Sequence, residues 1–150
     1  MKKKYKLTKK SIKVLGKKLF QIRALVDFGN VKKGELGGYI ENERNLSQDG
    51  NAWIYGNAQI SGDAWIYGNA QVFGDAWIYG NAWIYGDAWI SGDAWISGDA
   101  QISGDAWISG NARIYGSTRV SGNTWVYGNT WVFGNAQVSG DARISGNAWI

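Results

Sequence analysis

Seven aspartates and ten tryptophans between residues 50 and 150 fall on a spacing of six or its multiples, and nine lysines precede residue 19. These side chains have chemistry to offer: carboxylates as bases or oxygen ligands, indoles as stacking surfaces, ammonium groups for phosphates. Histidine and cysteine are absent, which removes the commonest general base, the thiolate nucleophile, thiolate metal sites and disulfides. Each of the seven aspartates directly follows a glycine, and Asx-turn chemistry accounts for it there without catalysis. A corner column such as Asn51, Asn69, Asp87, Asp105, Asn123 and Asp141 has the oxygens for Ca²⁺, but it mixes amide with carboxylate and serves the turns without a metal. No glycine-rich phosphate loop is present. The chemistry reads as non-enzymatic, with no catalytic residue, metal or cofactor assigned, and leaves the tryptophans and lysines to be explained.

A repeat positions them. Glycine recurs at every sixth position from Gly50 to Gly146. Around it the hexad reads Gly, then Asn or Asp (Ser once), then Ala or Thr, then Trp, Gln or Arg, then Ile or Val, then Tyr, Ser or Phe. Four strand-like residues, such as Ala52-Trp53-Ile54-Tyr55, alternate with a turn such as Gly56-Asn57, where Gly or Asn adopts φ > 0 at little cost. Side chains along a strand alternate between faces. The Ala and Ile/Val positions hardly vary, as a narrow core demands, whereas the Trp position swaps with Gln and Arg, which a dry core would reject as unpaired polar groups. The aliphatic stripe is therefore expected inside and the Trp stripe outside. A single hexad cannot bury its Ile, so the prediction is a stack of coils joined by backbone ladders and Asn/Asp rows. The fold class that follows is all-β: a single-stranded parallel β-helix over residues 50–150, with a basic N-terminal hairpin and cap region over residues 1–49.

Residues 1–50 carry 13 Lys and Arg against five acids, a net +8, whereas residues 51–150 carry three Arg against seven Asp, a net −4. Lys2, Lys3, Lys4, Lys6, Lys9 and Lys10 are the candidates for contacting phosphate; the plainer reading is a solvated terminus. A short strand is expected around Tyr5 and Leu7. A hairpin follows: Ile12, Val14 and Leu15, a turn at Gly16-Lys17-Lys18, then Leu19 to Val26 with Phe20, Ile22 and Ala24 on one face. Turn residues occupy 27–34, a short strand lies at Tyr39-Ile40, and Glu41 to Asp49 reads as a polar connection. No apolar run is long enough to span a bilayer and no signal core follows the lysines, so the expectation is a cytoplasmic protein without membrane contact.

Read from its aliphatic position, the hexad Ile-Tyr-Gly-Asn-Ala-Trp resembles the pattern of left-handed parallel β-helices, in which a small residue follows the aliphatic one after four places. The resemblance implies triangular coils of three hexads and a left-handed course, where general sterics favour a right-handed crossover. Upstream, the run from Phe20 to Gly34, then Gly37-Gly38-Tyr39-Ile40 and the run from Leu46 to Tyr55, resembles the opening of YdcK-like proteins. Such sequences are frequent in bacterial and prophage genomes and are often labelled transferase-like. The resemblance implies an oligomer, commonly a trimer, and among fold relatives acyl transfer with a His base; this chain has no His, and fold does not confer activity.

With 18 residues per coil, the Trp-equivalent positions fall into three columns. The first holds Trp53, Gln71, Trp89, Trp107, Trp125 and Arg143; the second Gln59, Trp77, Trp95, Arg113, Trp131 and Trp149; the third Trp65, Trp83, Gln101, Arg119 and Gln137. Neighbours in a column lie ~4.8 Å apart, so Trp89, Trp107 and Trp125 form an aromatic ladder on a rod roughly 27 Å long. Exposed apolar patches mark interaction sites. The expectation is a binding and assembly module, a dimer or trimer joined through aromatic faces that include Trp77, Trp95, Arg113 and Trp131. If phage-encoded, it would engage a host protein complex. The alternatives are a nucleic-acid or nucleotide binder, a carbohydrate platform, or tryptophans that only stiffen the sheet. The sequence stops at Ile150 in mid-hexad, so either that end docks on another copy or the chain is an abbreviated form.

Overall fold

The computed structural model describes residues 3–150. Three long strands come first: β1 (Tyr5–Val14), β2 (Lys17–Ala24) and β3 (Leu36–Ile40). After a 3₁₀ turn at Glu43–Asn45, two-residue strands follow at every hexad, from β4 (Trp53–Ile54) to β19 (Arg143–Ile144). Strands this short follow from a glycine corner every six residues, and only stacking makes them stable. Each pairs in parallel with residues 18 positions away, as in Trp89↔Trp107 and Ile90↔Ile108. Three parallel sheets result, one for each predicted column.

The aliphatic stripe lies inside. Every Ala and Ile of the hexads from Ala58 to Ile114 is fully buried, and each Ile contributes about 1.5–3 kcal/mol of burial. Where Thr replaces Ala, at Thr118, Thr124 and Thr130, the hydroxyl donates to the carbonyl three residues back at 2.7–2.9 Å. The core therefore gains no unpaired polar atom at those positions. The glycines have two reasons to be glycine. Gly104 sits at φ +68°, and a Cβ there would stand 2.7 Å from the Gly122 amide nitrogen, because successive corners stack backbone on backbone. Asn rows run along the corners, with Asn69 Nδ2 donating to Asp87 Oδ1 at 3.1 Å and Asn111 Nδ2 to Asn129 Oδ1 at 3.1 Å.

The N-terminal region differs from expectation in detail. β1 is one ten-residue strand rather than a short strand near Tyr5 followed by another. The turn falls at Leu15-Gly16, with Leu15 at φ 50°, and β2 begins at Lys17. Its buried residues are Leu19, Ile22 and Ala24, while Phe20 is half-buried, because the register slips along both edges of β2. β2 pairs with β3 antiparallel, and β3 joins the second sheet in parallel through Tyr39↔Gln59 and Ile40↔Ile60. Leu46 then bridges Ile66. Residues 39–47 thus occupy the position of a coil before the first glycine of the repeat, where sequence reasoning expects a short strand at Tyr39-Ile40 and then a polar connection from Glu41. They fit because Gly38 presses on Ala58 O and Ile54 with no room for a Cβ, and Asn45 Nδ2 donates to Ala64 O at 2.8 Å in place of a ladder bond.

Candidate functional site

The three outward columns form three aromatic faces of unequal character. On the first, Trp89, Trp107 and Trp125 are 41, 37 and 38% exposed. Their rings meet edge to face at 5.3 and 5.0 Å, the arrangement favoured by the indole quadrupole over face-to-face stacking. Arg143 continues the ladder, its guanidinium 4.9 Å from the Trp125 centroid. Trp107, Ser109, Trp125 and Tyr127 line a shallow cleft of about 370 Å³, open because Ser stands where Tyr or Phe stands in other coils.

On the second face Arg113 lies between two indoles, 4.7 Å from the Trp95 centroid and 5.3 Å from that of Trp131. Trp95 is exposed, while Trp77 and Trp131 are half-buried. Trp77 is partly covered by the hairpin tip, whose Val14, Leu15 and Lys17 line a pocket with it. On the third face Trp65 and Trp83 are exposed, and Arg44 lodges beside them with Nη2 2.9 Å from Asp63 Oδ1.

One indole of the outward stripe is not outward. Trp53 is fully buried, sealed by Phe28 and Tyr5 at centroid distances of 5.3 and 6.2 Å, and its Nε1 has no hydrogen-bond partner. The period predicts an exposed ring at residue 53; the N-terminal region folds over that face and overrides it.

The lysine arm needs a correction too. Lys2 lies outside the described residues. Lys4 does not face phosphate: it is 4% exposed, and Nζ donates to Ala52 O at 2.8 Å and to Gly50 O at 3.4 Å, closing the first corner. Burial pushes its ammonium down to about 8, against the opposing pull of Asp49. The neighbouring Tyr5 phenol, whose hydroxyl donates to Glu43 O and Leu46 O, is raised by burial. Lys3 pairs with Glu43 at 2.9 Å. Lys6, Lys9 and Lys10 are exposed on β1, the outermost strand of its sheet. Sequence reasoning missed the roles of Lys4, Tyr5, Arg44 and Asn45. All four act through contacts more than fifteen residues away, and no local spacing announces them.

The YdcK β-solenoid repeat family matches residues 58–72, 70–86, 106–122 and 136–150. These matches and the 18-residue stacking support a YdcK-like β-solenoid protein. A stretch of 37 residues is 51% identical to a protein of Escherichia coli (strain K12) named "Uncharacterized acetyltransferase YdcK". That stretch is 25% of this chain and spans 11% of the relative. Among the described residues of this YdcK-like solenoid, no group of three His, Cys, Asp or Glu is placed to hold a metal ion, and no helix is long and apolar enough to cross a membrane.

Proposed function

We propose that this solenoid is a non-catalytic binding and assembly module whose copies associate through the outward aromatic faces. The observation that supports it is the Trp89, Trp107 and Trp125 ladder, a row of indoles each more than a third exposed on a surface that no element of the same chain covers among the described residues. Contiguous exposed apolar area of this kind marks interaction sites, and aromatic residues dominate interface energetics. Acetyl transfer, suggested by the name of the E. coli relative, finds no His base in this chain, and the clefts described beside Trp107, Trp95 and Trp65 are open. A nucleic-acid role is weakened because exposed carboxylates at Asp87 and Asp105 stand in the corners preceding Trp89 and Trp107, where a phosphate backbone would be repelled.

Light scattering against concentration tests the reading. Wild type is expected to assemble below about 100 μM, and Trp107→Gln/Trp125→Gln to remain monomeric at that concentration with its fold intact. A wild type that stays monomeric there removes self-association; single-stranded oligonucleotides or oligosaccharides that quench Trp fluorescence would point to the ligand-platform alternatives.

A further inference from the structure

We propose that the exposed surface formed by Asp87, Trp89, Asp105 and Trp107 on the first face receives lysine side chains of a second copy of this chain, supplied by Lys9 and Lys10 of its β1. This rests on the reading that copies associate through the aromatic faces, and it names what meets what.

On the second and third faces a groove has a corner residue on one wall and, two positions later, an outward residue on the other. On the third face Arg44, Asp63, Trp65 and Trp83 line a groove of about 400 Å³, and Arg44 is ion-paired to Asp63. On the second face Asp93, Trp95 and Trp131 line a groove of about 350 Å³ with Arg113, whose guanidinium lies over both rings. In both cases a cation of this chain lines the groove, Arg44 against a carboxylate and Arg113 over two indole faces, and both kinds of partner attract a cation. On the first face the residues at the matching positions are Asp87 with Trp89 and Asp105 with Trp107. Both carboxylates are exposed, and neither has a cationic side chain within ion-pair distance among the described residues. Asp87 accepts one hydrogen bond, from Asn69. Two like charges on neighbouring rungs, ~4.8 Å apart, repel, and a cation placed between them relieves that repulsion.

The complementary surface lies at the other end of the same molecule. Pairing of β1 with β2 is interrupted between Leu7 and Ser11. There Thr8 Oγ1 donates to Gln21 O at 2.8 Å, and the Lys10 amide donates to Thr8 Oγ1 at 3.3 Å. Bulges re-aim side chains, and Lys9 and Lys10 at this one are exposed, with no carboxylate partner among the described residues. Net charges of +8 over residues 1–50 and −4 over residues 51–150 steer hairpin toward solenoid rather than like toward like. A hairpin-to-face contact is heterologous, so it closes as a ring or grows as a chain.

Two variants test it, Lys9→Glu/Lys10→Glu and Asp87→Asn/Asp105→Asn; the second is safe for folding because Asn already stands in that column at Asn51, Asn69 and Asn123. Each is expected to associate at least about tenfold more weakly than wild type with an unchanged melting temperature. Mixed together, they should form a one-to-one pair that grows no further, since one retains the face and the other the hairpin. Raising salt from about 0.1 M to 1 M, which shortens the screening length from about 10 Å to 3 Å, should weaken wild-type assembly. Wild-type-like association of the lysine variant would mean that aromatic faces meet each other, overturning this proposal but not the reading beneath it. Undiminished association of the Asp variant would mean that hairpin edges meet, and two monomeric variants that fail to pair would also overturn it. A wild type monomeric to about 100 μM removes both proposals.

Discussion

Trp53 and Trp107 occupy the same hexad position in one column, joined through the registers Trp53↔Gln71, Gln71↔Trp89 and Trp89↔Trp107. The first is sealed in the core and the second is 37% exposed. The difference separates two ways of specifying structure. In the solenoid, position in the repeat decides environment, and each coil repeats the argument of its neighbours. At the N-terminal end, single contacts decide it: the Tyr5 hydroxyl on Leu46 O, the Lys4 ammonium on Ala52 O, the Gln48 side chain accepting the Lys4 and Tyr5 amides. A solenoid residue has many equivalents to stand in for it, and a cap residue has none.

The largest expected break of that contrast is Ile96→Asp, in the middle of the rod. Ile96 is fully buried and stacks between Ile78 and Ile114. The change removes a buried aliphatic group and places a charge in a dry column, so a loss above about 5 kcal/mol is expected, with the stack severed there. Circular dichroism and protease cleavage near residue 96 check it. Next is Trp53→Gln, which puts at position 53 a residue the repeat accepts elsewhere in the same column, at Gln71. If region outranks repeat position, it costs about 3–5 kcal/mol, as large-to-small core substitutions do. A melting temperature within a few degrees of wild type would mean that the cap over Trp53 adds little.

That contrast also explains what was legible in the sequence. The fold of residues 50–150 could be read because six-residue glycine spacing and an aliphatic stripe are local, redundant signals, and the three columns match the three sheets. The cap was legible as a hairpin near Gly16 and a short strand at Tyr39-Ile40. The coil before Gly50 was hidden because Gly38, Ile40 and Leu46 keep its geometry without the hexad's letters, and Asn45 satisfies two carbonyls that a ladder strand would otherwise pair. Of the candidate residues, the exposed ladder at Trp89, Trp107 and Trp125 could be read from alternation alone. Burial of Trp53 and of Lys4 could not, since both depend on where residues 5 to 31 fold back.

A smaller effect probes the cap through pH. Lys4 titrates near 8 in the folded chain against 10.5 when free. Below pH 8 both states hold the proton, and the folded state bears the full cost of a buried ammonium. Between pH 8 and 10 the unfolded chain holds more protons than the folded one, so stability rises with pH. Above the ordinary Tyr value of 10.0 the buried Tyr5 phenol, raised by burial, reverses the slope, because only the unfolded chain releases that proton. The melting temperature is therefore expected to climb from pH 8 toward pH 10 and then fall, and Lys4→Met should abolish the climb while leaving the fall. A flat wild-type profile over that range would mean that solvent reaches Nζ.

The smallest expected effect is Trp107→Gln, and it is the sharpest test because so little should happen. Gln stands at the equivalent position at Gln71, Gln101 and Gln137, each followed by a buried Ile or Val, so the coil accepts it without moving the core. What is lost is two edge-to-face pairs, with Trp89 and Trp125, at a surface site. The expected loss of monomer stability is under about 1 kcal/mol, near the bottom of the range for an aromatic pair and close to that of ordinary surface changes. If instead Trp107→Gln costs as much as Trp53→Gln, the exposed ladder is structural, column position governs both residues, and the indoles stiffen the sheet rather than wait for a partner. If the cost is small, the repeat can exchange its outward residue freely, and ten tryptophans in a chain of 150 residues require a cause outside the stability of the monomer.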